Sequence, residues 1–335
     1  MSTATPESAT IRIAPSLERS RSSWRSANSI FTAVVTVAGL LVLVLIAAMV
    51  AFVLAQSWPA ITNYGIFTFL QSTRWAPSEA TLSSSVPNPY GILQFIYGTL
   101  LTSAIAMLIA VPASVAIALF ITEVVPQRLR QPLSSLVDLL AAVPSVVYGF
   151  WGIFALLPAI RPAVVALERV LEPVPVVGVL FKGPYFGFSY LTASLVLSIM
   201  VLPIITAICR EVFRTAPATD KEAAYALGAT RWEMIRLAVL PRSKSGIAGA
   251  SILGLGRALG ETIAVTMVIG NSVLAIQTSL LAQGATMASV IANEFTEATQ
   301  PFHLESLFVV GFFLLVIAVI VNAAARLIVK RAVAL

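Results

Sequence analysis

The 335-residue chain is poor in the residues that build most active sites. It has one cysteine, Cys209, so no disulfide can close within it. It has one histidine, His303, which by itself holds no metal ion. The bland readings are a small apolar residue for Cys209 and a polar loop residue for His303. No segment reads GxxxxGK followed by Ser or Thr, so this chain is not expected to cradle the phosphates of ATP. Charge is scarce as well. Charged residues make up 11% of the chain, against roughly 25% in a soluble domain.

What is abundant is hydrophobic sequence, 58% of residues, and it is grouped. A membrane-crossing helix needs about 20 mostly apolar residues. Five uncharged stretches reach that length: 29–56, 94–122, 139–160, 186–209 and 306–325. A sixth, 246–270, qualifies apart from Arg257 and Glu261. The first run exceeds the roughly 7–15 residues of a signal-peptide core, so it reads as a retained anchor. The expected organisation is a disordered cytoplasmic tail over 1–28 and a transmembrane domain over 29–335. Its spans are placed at about 30–55, 95–122, 137–160, 187–209, 246–270 and 305–327.

The net charge of +6 raises the question of nucleic acid, and its distribution answers it. With the N-terminus inside, sixteen Lys and Arg fall on the inner side: four in the tail, Arg128 and Arg130, seven in 210–245, and Arg326, Lys330 and Arg331. The outer side holds Arg74, Arg161, Arg169 and Lys182. That asymmetry predicts both termini in the cytoplasm of a multi-pass cell-membrane protein. The basic excess is an orientation signal, and no nucleic-acid partner is expected.

The outer connections differ in character. Segment 57–93 carries Trp58 and Trp75, with Pro87 and Pro89 bracketing Asn88. Four prolines in 161–185 argue against a long helix there. Segment 278–296 has apolar residues at helical spacing, either an exposed amphipathic helix or a hairpin dipping toward a pore. On the inner side, 210–245 predicts two short helices. Thr219 and Glu222 fit a capping box, an Ala-rich helix meets Gly228, and Thr230 with Glu233 forms a second box whose helix stops at Pro241. Both ends of this loop are tied to spans, and its narrow Ala-rich helix suits a protein groove rather than DNA.

Arg257 and Glu261 lie near the middle of the fifth span, four residues apart and so on one helix face. An ionised side chain there costs at least about 2.5–3.5 kcal/mol on insertion scales. Two readings are open: a mutually neutralising pair that locks helices, and an anion site facing a pore. Arginine's planar fork matches phosphate oxygens and stays charged. Glu261 would pair Arg257 when the site is empty, or accept a proton that phosphate carries and sulfate lacks. Gly256 and Gly260 form GxxxG, suited to close packing within the chain or against a span of another subunit. Pro144 is expected to kink the third span, with Ser145 and Tyr148 beside it, facing the pathway or, for Ser145, capping the kink.

Glu222-Ala223-Ala224, three residues, Gly228, then Leu240-Pro241 resembles the EAA loop of ABC importer permeases. Ala238 replaces the family's aliphatic position, a mild departure. The segment Arg257-Ala258-Leu259-Gly260-Glu261-Thr262-Ile263-Ala264-Val265 is similar to the signature of phosphate-specific permeases, closer to the PstC type than to the PstA type. Tyr97 to Leu100, Val143 to Gly149 and Met287 to Glu294 agree, and the resemblance runs from about residue 30 to the end. It implies an all-α integral membrane protein with six transmembrane helices and a type I ABC importer permease-like core. It further implies a substrate pathway including Arg257, Glu261, Thr262, Ser145 and Tyr148, and ATPase coupling through Glu222, Ala223, Ala224, Gly228, Leu240 and Pro241. The implied partners are a PstA-type sister permease, two ATP-binding subunits carrying ATP and Mg, an extracytoplasmic phosphate-binding protein and membrane lipid. The chain itself would bind no cofactor and catalyse nothing. The alternatives are a permease for sulfate, molybdate or phosphonate, and a phosphate-sensing membrane scaffold.

Overall fold

The computed structural model describes residues 16–78, 89–175, 177–300 and 302–334, and these are helical with no strand among them. In chain order the helices are α1 (Ser16–Tyr64), α2 (Ile66–Gln71), α3 (Leu93–Leu119), α4 (Gln127–Ala141), α5 (Ser145–Trp151), α6 (Leu157–Leu171) and α7 (Val177–Leu180). There follow α8 (Tyr190–Arg214), α9 (Ala218–Ala226), α10 (Arg231–Met234), α11 (Leu240–Gly260), α12 (Ile263–Ile269), α13 (Met287–Glu294) and α14 (His303–Ala334). Five helical runs are long and apolar enough to cross a membrane: 28–64, 93–124, 145–171, 190–214 and 303–330. A sixth crossing requires the pair Arg231–Gly260 and Ile263–Ile269, which bends by 61° between its halves.

The chain divides into two units, residues 1–53 and 54–335. The first is the N-terminal part of α1. Its helix already runs from Ser16, inside the tail expected to be disordered, while residues 1–15 lie outside the described residues. Ile30, Phe31, Val37, Leu43 and Val44 are all more than half exposed, an apolar surface suited to lipid rather than water.

The second unit is built on α3, α8 and α11. Their shared core is made of small and branched residues, among them Ala106, Ala110, Val196, Leu197, Val201, Ile205 and Ala250. Cys209 is fully buried there as one more small apolar side chain. Hydroxyls inside the helices fold back on their own backbone. Thr99 donates to Phe95 O at 2.7 Å and Thr102 to Gly98 O at 2.8 Å, which satisfies these two hydroxyl hydrogens within α3. One charged tie crosses the core's edge. Buried Arg210 of α8 donates to both carboxylate oxygens of Asp138 on α4, at 2.9 and 3.1 Å, and to Ser134 O.

Three prolines act differently from expectation. Pro144 does not kink a span. It is the residue before α5, with φ −59 and ψ 142, so the third crossing begins after it and runs to Leu171. A proline ring presets the first turn of a helix, where its missing N–H costs nothing. Pro162 lies inside α6, and the helix continues through it into the segment expected to be irregular. The π turn Gly152–Leu156 just upstream has already shifted the hydrogen-bond ladder. Pro241 sits in the first turn of α11, after the π turn Ile235–Val239, so the helix expected to stop there carries on.

A second apolar cluster lies around the connections at the other end of the unit. Phe69, Trp75, Tyr90, Phe95, Met287, Val290, Val310 and Phe313 are buried in it. Pro87 and Asn88 lie outside the described residues. His303 is no loop residue: it opens α14, is buried, and its Nε2 meets Glu294 Oε2 at 2.8 Å, while the Trp75 indole donates to the same oxygen at 2.7 Å. Tyr90 stacks on the His303 ring, and burial raises its phenol above the ordinary range.

The helix α11 shows how glycine sets the packing. A Cβ built at Gly254 would lie 2.6 Å from Ile205 Cδ1 and 3.0 Å from Val201 Cγ1, whereas one at Gly249 or Gly260 would meet nothing within 4 Å. Gly254 is therefore a point of close approach to α8, as Gly246 is against Val212, and Gly260 packs against nothing among the described residues. Gly254→Leu is expected to destabilise the protein by about 1–3 kcal/mol through overpacking. Gly249→Ala should change stability by less than about 0.5 kcal/mol. Thermal unfolding of the purified chain checks both, and equal losses would refute this packing.

Candidate functional site

The residues singled out in the fifth span do not share a helix face. The helix α11 ends at Gly260. Glu261 is extended, with φ −69 and ψ 126, and α12 begins at Ile263. Two glycines four apart weaken the helix here. The break also gives each charge a partner of the favoured sign. Arg257 occupies the last turn of α11, where the negative end of the helix dipole stabilises a cation. Glu261 stands at the start of α12, and its Oε1 accepts from Ala264 N at 3.3 Å. Thr262 closes the turn by donating to Gly260 O at 3.2 Å. The mutually neutralising pair is absent: no ion pair joins Arg257 to Glu261 among the described residues.

The two charges also differ in exposure. Glu261 is buried, whereas Arg257 is exposed. Ser243, Ala250, Gly254 and Ala258 form the buried stripe of α11. Ser245, Gly249, Leu253, Arg257 and Gly260 recur at helical spacing on the open side. Arg257 thus projects from a face that nothing among the described residues covers. Tyr148 is within electrostatic range of it. The Tyr148 hydroxyl is already committed, donating to Leu140 O at 2.7 Å across the α4–α5 break. Ser145 is half-buried and does not cap that break.

Irregular backbone at membrane depth persists only where it is satisfied by protein or lines a cavity. The segment after α12 meets this condition closely. Gly270 turns the chain with φ +93. The returning segment then supplies carbonyls to the buried N-terminus of α8: Tyr190 N donates to Ala282 O at 3.1 Å and Leu191 N to Leu280 O at 2.9 Å. Met287 N donates to Thr99 Oγ1 at 2.9 Å. Of the expected helix over 278–296, only 287–294 forms, opened by a Thr286–Ser289 capping box. Leu281, Ala285, Met287 and Val290 are buried, so this is a docked return loop rather than an exposed amphipathic helix.

The loop between α8 and α11 is two short helices at a turn. Pro217, with φ −57 and ψ 133, starts α9 two residues too early for Thr219 to cap it, and the first expected capping box is absent. The second is present: Glu233 N donates to Thr230 Oγ1, and Thr230 N to Glu233 Oε2. Gly228 takes φ +83, a left-handed turn that favours glycine. Glu222, Ala223, Tyr225 and Leu227 are exposed, Leu227 at 90%, and Trp232 stands out beside them at 62%. Ala224 is buried, and Leu240 and Pro241 lie in the shaft that leaves the loop.

A family model described as "Binding-protein-dependent transport system inner membrane component" matches residues 110–333. The chain belongs to that family of transport permeases. A phosphate transport system permease protein PstC from Mesorhizobium japonicum is 44% identical over 91% of this chain and 90% of its own. One of the same name from Xylella fastidiosa is 46% identical over 85% and 86%. Among solved structures, a bacterial alginate ABC transporter is similar in fold, with TM-score 0.55 at 18% identity over 88% of this chain and 95% of its own. The inward-facing MetNI methionine transporter gives TM-score 0.51 at 17% identity, over 72% and 95%.

As a permease of this family, the chain is a multi-pass membrane protein whose loop is locked to its spans by charges that spacing alone did not reveal. Lys221 on α9 meets Glu123 at 2.7 Å, and Arg242 on α11 meets Asp220 on α9 at 2.9 Å. Glu123 lies at the end of the helix that continues α3 and is almost buried. Its charge at the close of an apolar run was the one available signal. Lys221→Ala, Glu123→Ala and the double variant should show a coupling of about 0.5–3 kcal/mol in thermal unfolding, as contacting partners do. Strict additivity would mean that the pair does not hold the loop.

Proposed function

We propose that the chain is one transmembrane permease subunit of an ATP-driven phosphate importer in the cell membrane, with both termini cytoplasmic. The observation that carries the reading is Arg257: an exposed cation with no ion pair among the described residues, in the last helical turn before a break in a membrane-crossing element. Broken spans whose ends face a cavity are a recurrent way to bind ions near the bilayer midplane. The 40–46% identity to permeases named for phosphate transport supports phosphate as the cargo. In this reading Arg257 forms the guanidinium contact with the anion, Thr262 lines the break, and Ser145 and Tyr148 flank the same passage. Glu261 positions the break rather than pairing Arg257.

The open face of α11 around Gly249 and Gly260 fits a sister permease across the pathway. The exposed tip with Glu222, Ala223, Tyr225 and Leu227 fits a groove on an ATP-binding subunit, two copies of which would hold ATP and Mg. An extracytoplasmic phosphate-binding protein would deliver the cargo. Because Arg231–Gly260 is one helical run, a push at Trp232 reaches Arg257 roughly 38 Å away along a single shaft. Rocking of that shaft would open and close the anion site.

The test is ATP-driven uptake of labelled phosphate into vesicles holding the complete assembly. Arg257→Gln should lower uptake about tenfold or more, the worth of one charge-assisted contact, with assembly intact. Excess sulfate or molybdate should leave native uptake unchanged. Equal competition by sulfate would transfer the reading to a general oxyanion permease. Normal uptake by the variant, with altered phosphate signalling, would favour a sensing scaffold. Leu227→Asp should separate ATP hydrolysis from uptake by placing a charge in the docking tip. Unchanged coupling in that variant would remove the tip from the interface.

A further inference from the structure

A cavity of about 670 Å³ lies between α11 and α14, away from the Arg257 side chain, and its walls are apolar: Ile252, Leu253, Leu315 and Val319. It exists because the facing positions are small. Gly256, Ala318 and Ala323 leave the two helices apart where larger side chains would close them. A Cβ at Gly256 would make only ordinary contact with Asn322, at 3.7 Å. One end of the trough is polar. Arg326 lines it, exposed, and has no ion-pair partner among the described residues. Lys330 follows one turn later on the same face of α14 and is also exposed. Asn322, one turn before Arg326, also lines the trough, and its side-chain amide donates to Ala318 O at 2.8 Å.

Position along the membrane matters to what can enter. From His303, where α14 begins, to Arg326 the helix rises about 35 Å, close to the thickness of a hydrocarbon core of about 30 Å. Arg326 therefore stands at the level of lipid headgroups, and the trough extends from it into the depth of acyl chains. An anion in transit needs hydroxyls and amides along its way, and these walls offer none beyond Asn322. A protein helix would need an acid opposite Arg326. One occupant matches both ends of the trough: an amphiphile with a long apolar tail and an anionic head.

We propose that the α11–α14 trough binds an anionic phospholipid, with an acyl chain against Leu253, Leu315 and Val319 and the headgroup phosphate on Arg326, assisted by Lys330. Basic pockets between membrane helices take such headgroups. The site is separate from the anion pathway and does not rest on the identity of the cargo. Its occupant touches the shaft that carries Arg257, so lipid composition would bear on how freely that shaft moves.

The experiment is native mass spectrometry of the purified assembly, titrated with phosphatidylglycerol or phosphatidylcholine. Arg326→Gln should weaken phosphatidylglycerol binding about fivefold, the worth of one basic side chain at a lipid surface, and leave phosphatidylcholine unchanged. Arg326→Lys should retain binding. Ala323→Trp, which fills the trough from an exposed position, should weaken both lipids. Equal phosphatidylglycerol binding by Arg326→Gln and the native assembly would overturn the proposal. So would displacement of the lipid by millimolar inorganic phosphate, which would make Arg326 a station on the anion's way out. Loss of the sister permease in Arg326→Gln would overturn it too, since the trough would then be a protein contact.

Discussion

Within hydrocarbon, every backbone N–H and C=O needs a partner from the protein itself. The architecture follows from that demand. Long helices meet it alone, and the interest lies where helices stop. At the break in the fifth crossing the chain stops twice within three residues. Glu261 and Thr262 supply the missing acceptor and donor, through Ala264 N and Gly260 O. At the return loop, carbonyls of Leu280 and Ala282 satisfy the first amides of α8. Neither stop would be stable in lipid without those particular groups.

The same demand separates two charges that spacing puts together. In a continuous helix Arg257 and Glu261 would neutralise each other and leave nothing for a ligand. Ending the helix between them sends Glu261 to backbone amides and leaves Arg257 with only the helix dipole. A helix C-terminus stabilises a cation by roughly 0.3–1 kcal/mol in exposed settings, too little to saturate a guanidinium. An arginine so placed retains its capacity for two parallel bonds to an oxyanion. The tie of buried Arg210 to Asp138 is the contrast: there the guanidinium is already committed to both carboxylate oxygens and to Ser134 O.

Much of this was legible in the sequence where the signal is local. The crossings are long apolar runs, and the Thr230–Glu233 cap and the Gly228 turn depend on residues within one turn of each other. What was not legible depends on register or on distant partners. Thr219 has the right neighbour three residues on, but Pro217 starts the helix first. Pro144, Pro162 and Pro241 have one chemistry and three outcomes, because π turns upstream and helix starts change what a missing N–H costs. The break after Gly260 sits inside a run with unbroken helical character, and it needs the Glu261 carboxylate to fold back. His303 read as a loop residue because Trp75, Tyr90 and Glu294 reach it from other parts of the chain.

The unbroken shaft from Arg231 to Gly260 has a consequence for how such a chain can change over evolutionary time. Each residue of an α-helix turns the next by about 100°, so inserting or deleting one position in the shaft would swing Arg257 away from the open face while the exposed tip around Leu227 stayed put. Tip and arginine are phase-locked. A substitution along the shaft leaves that phase intact, whereas a change in its length shifts it, and a change of length in the connections at its two ends does not.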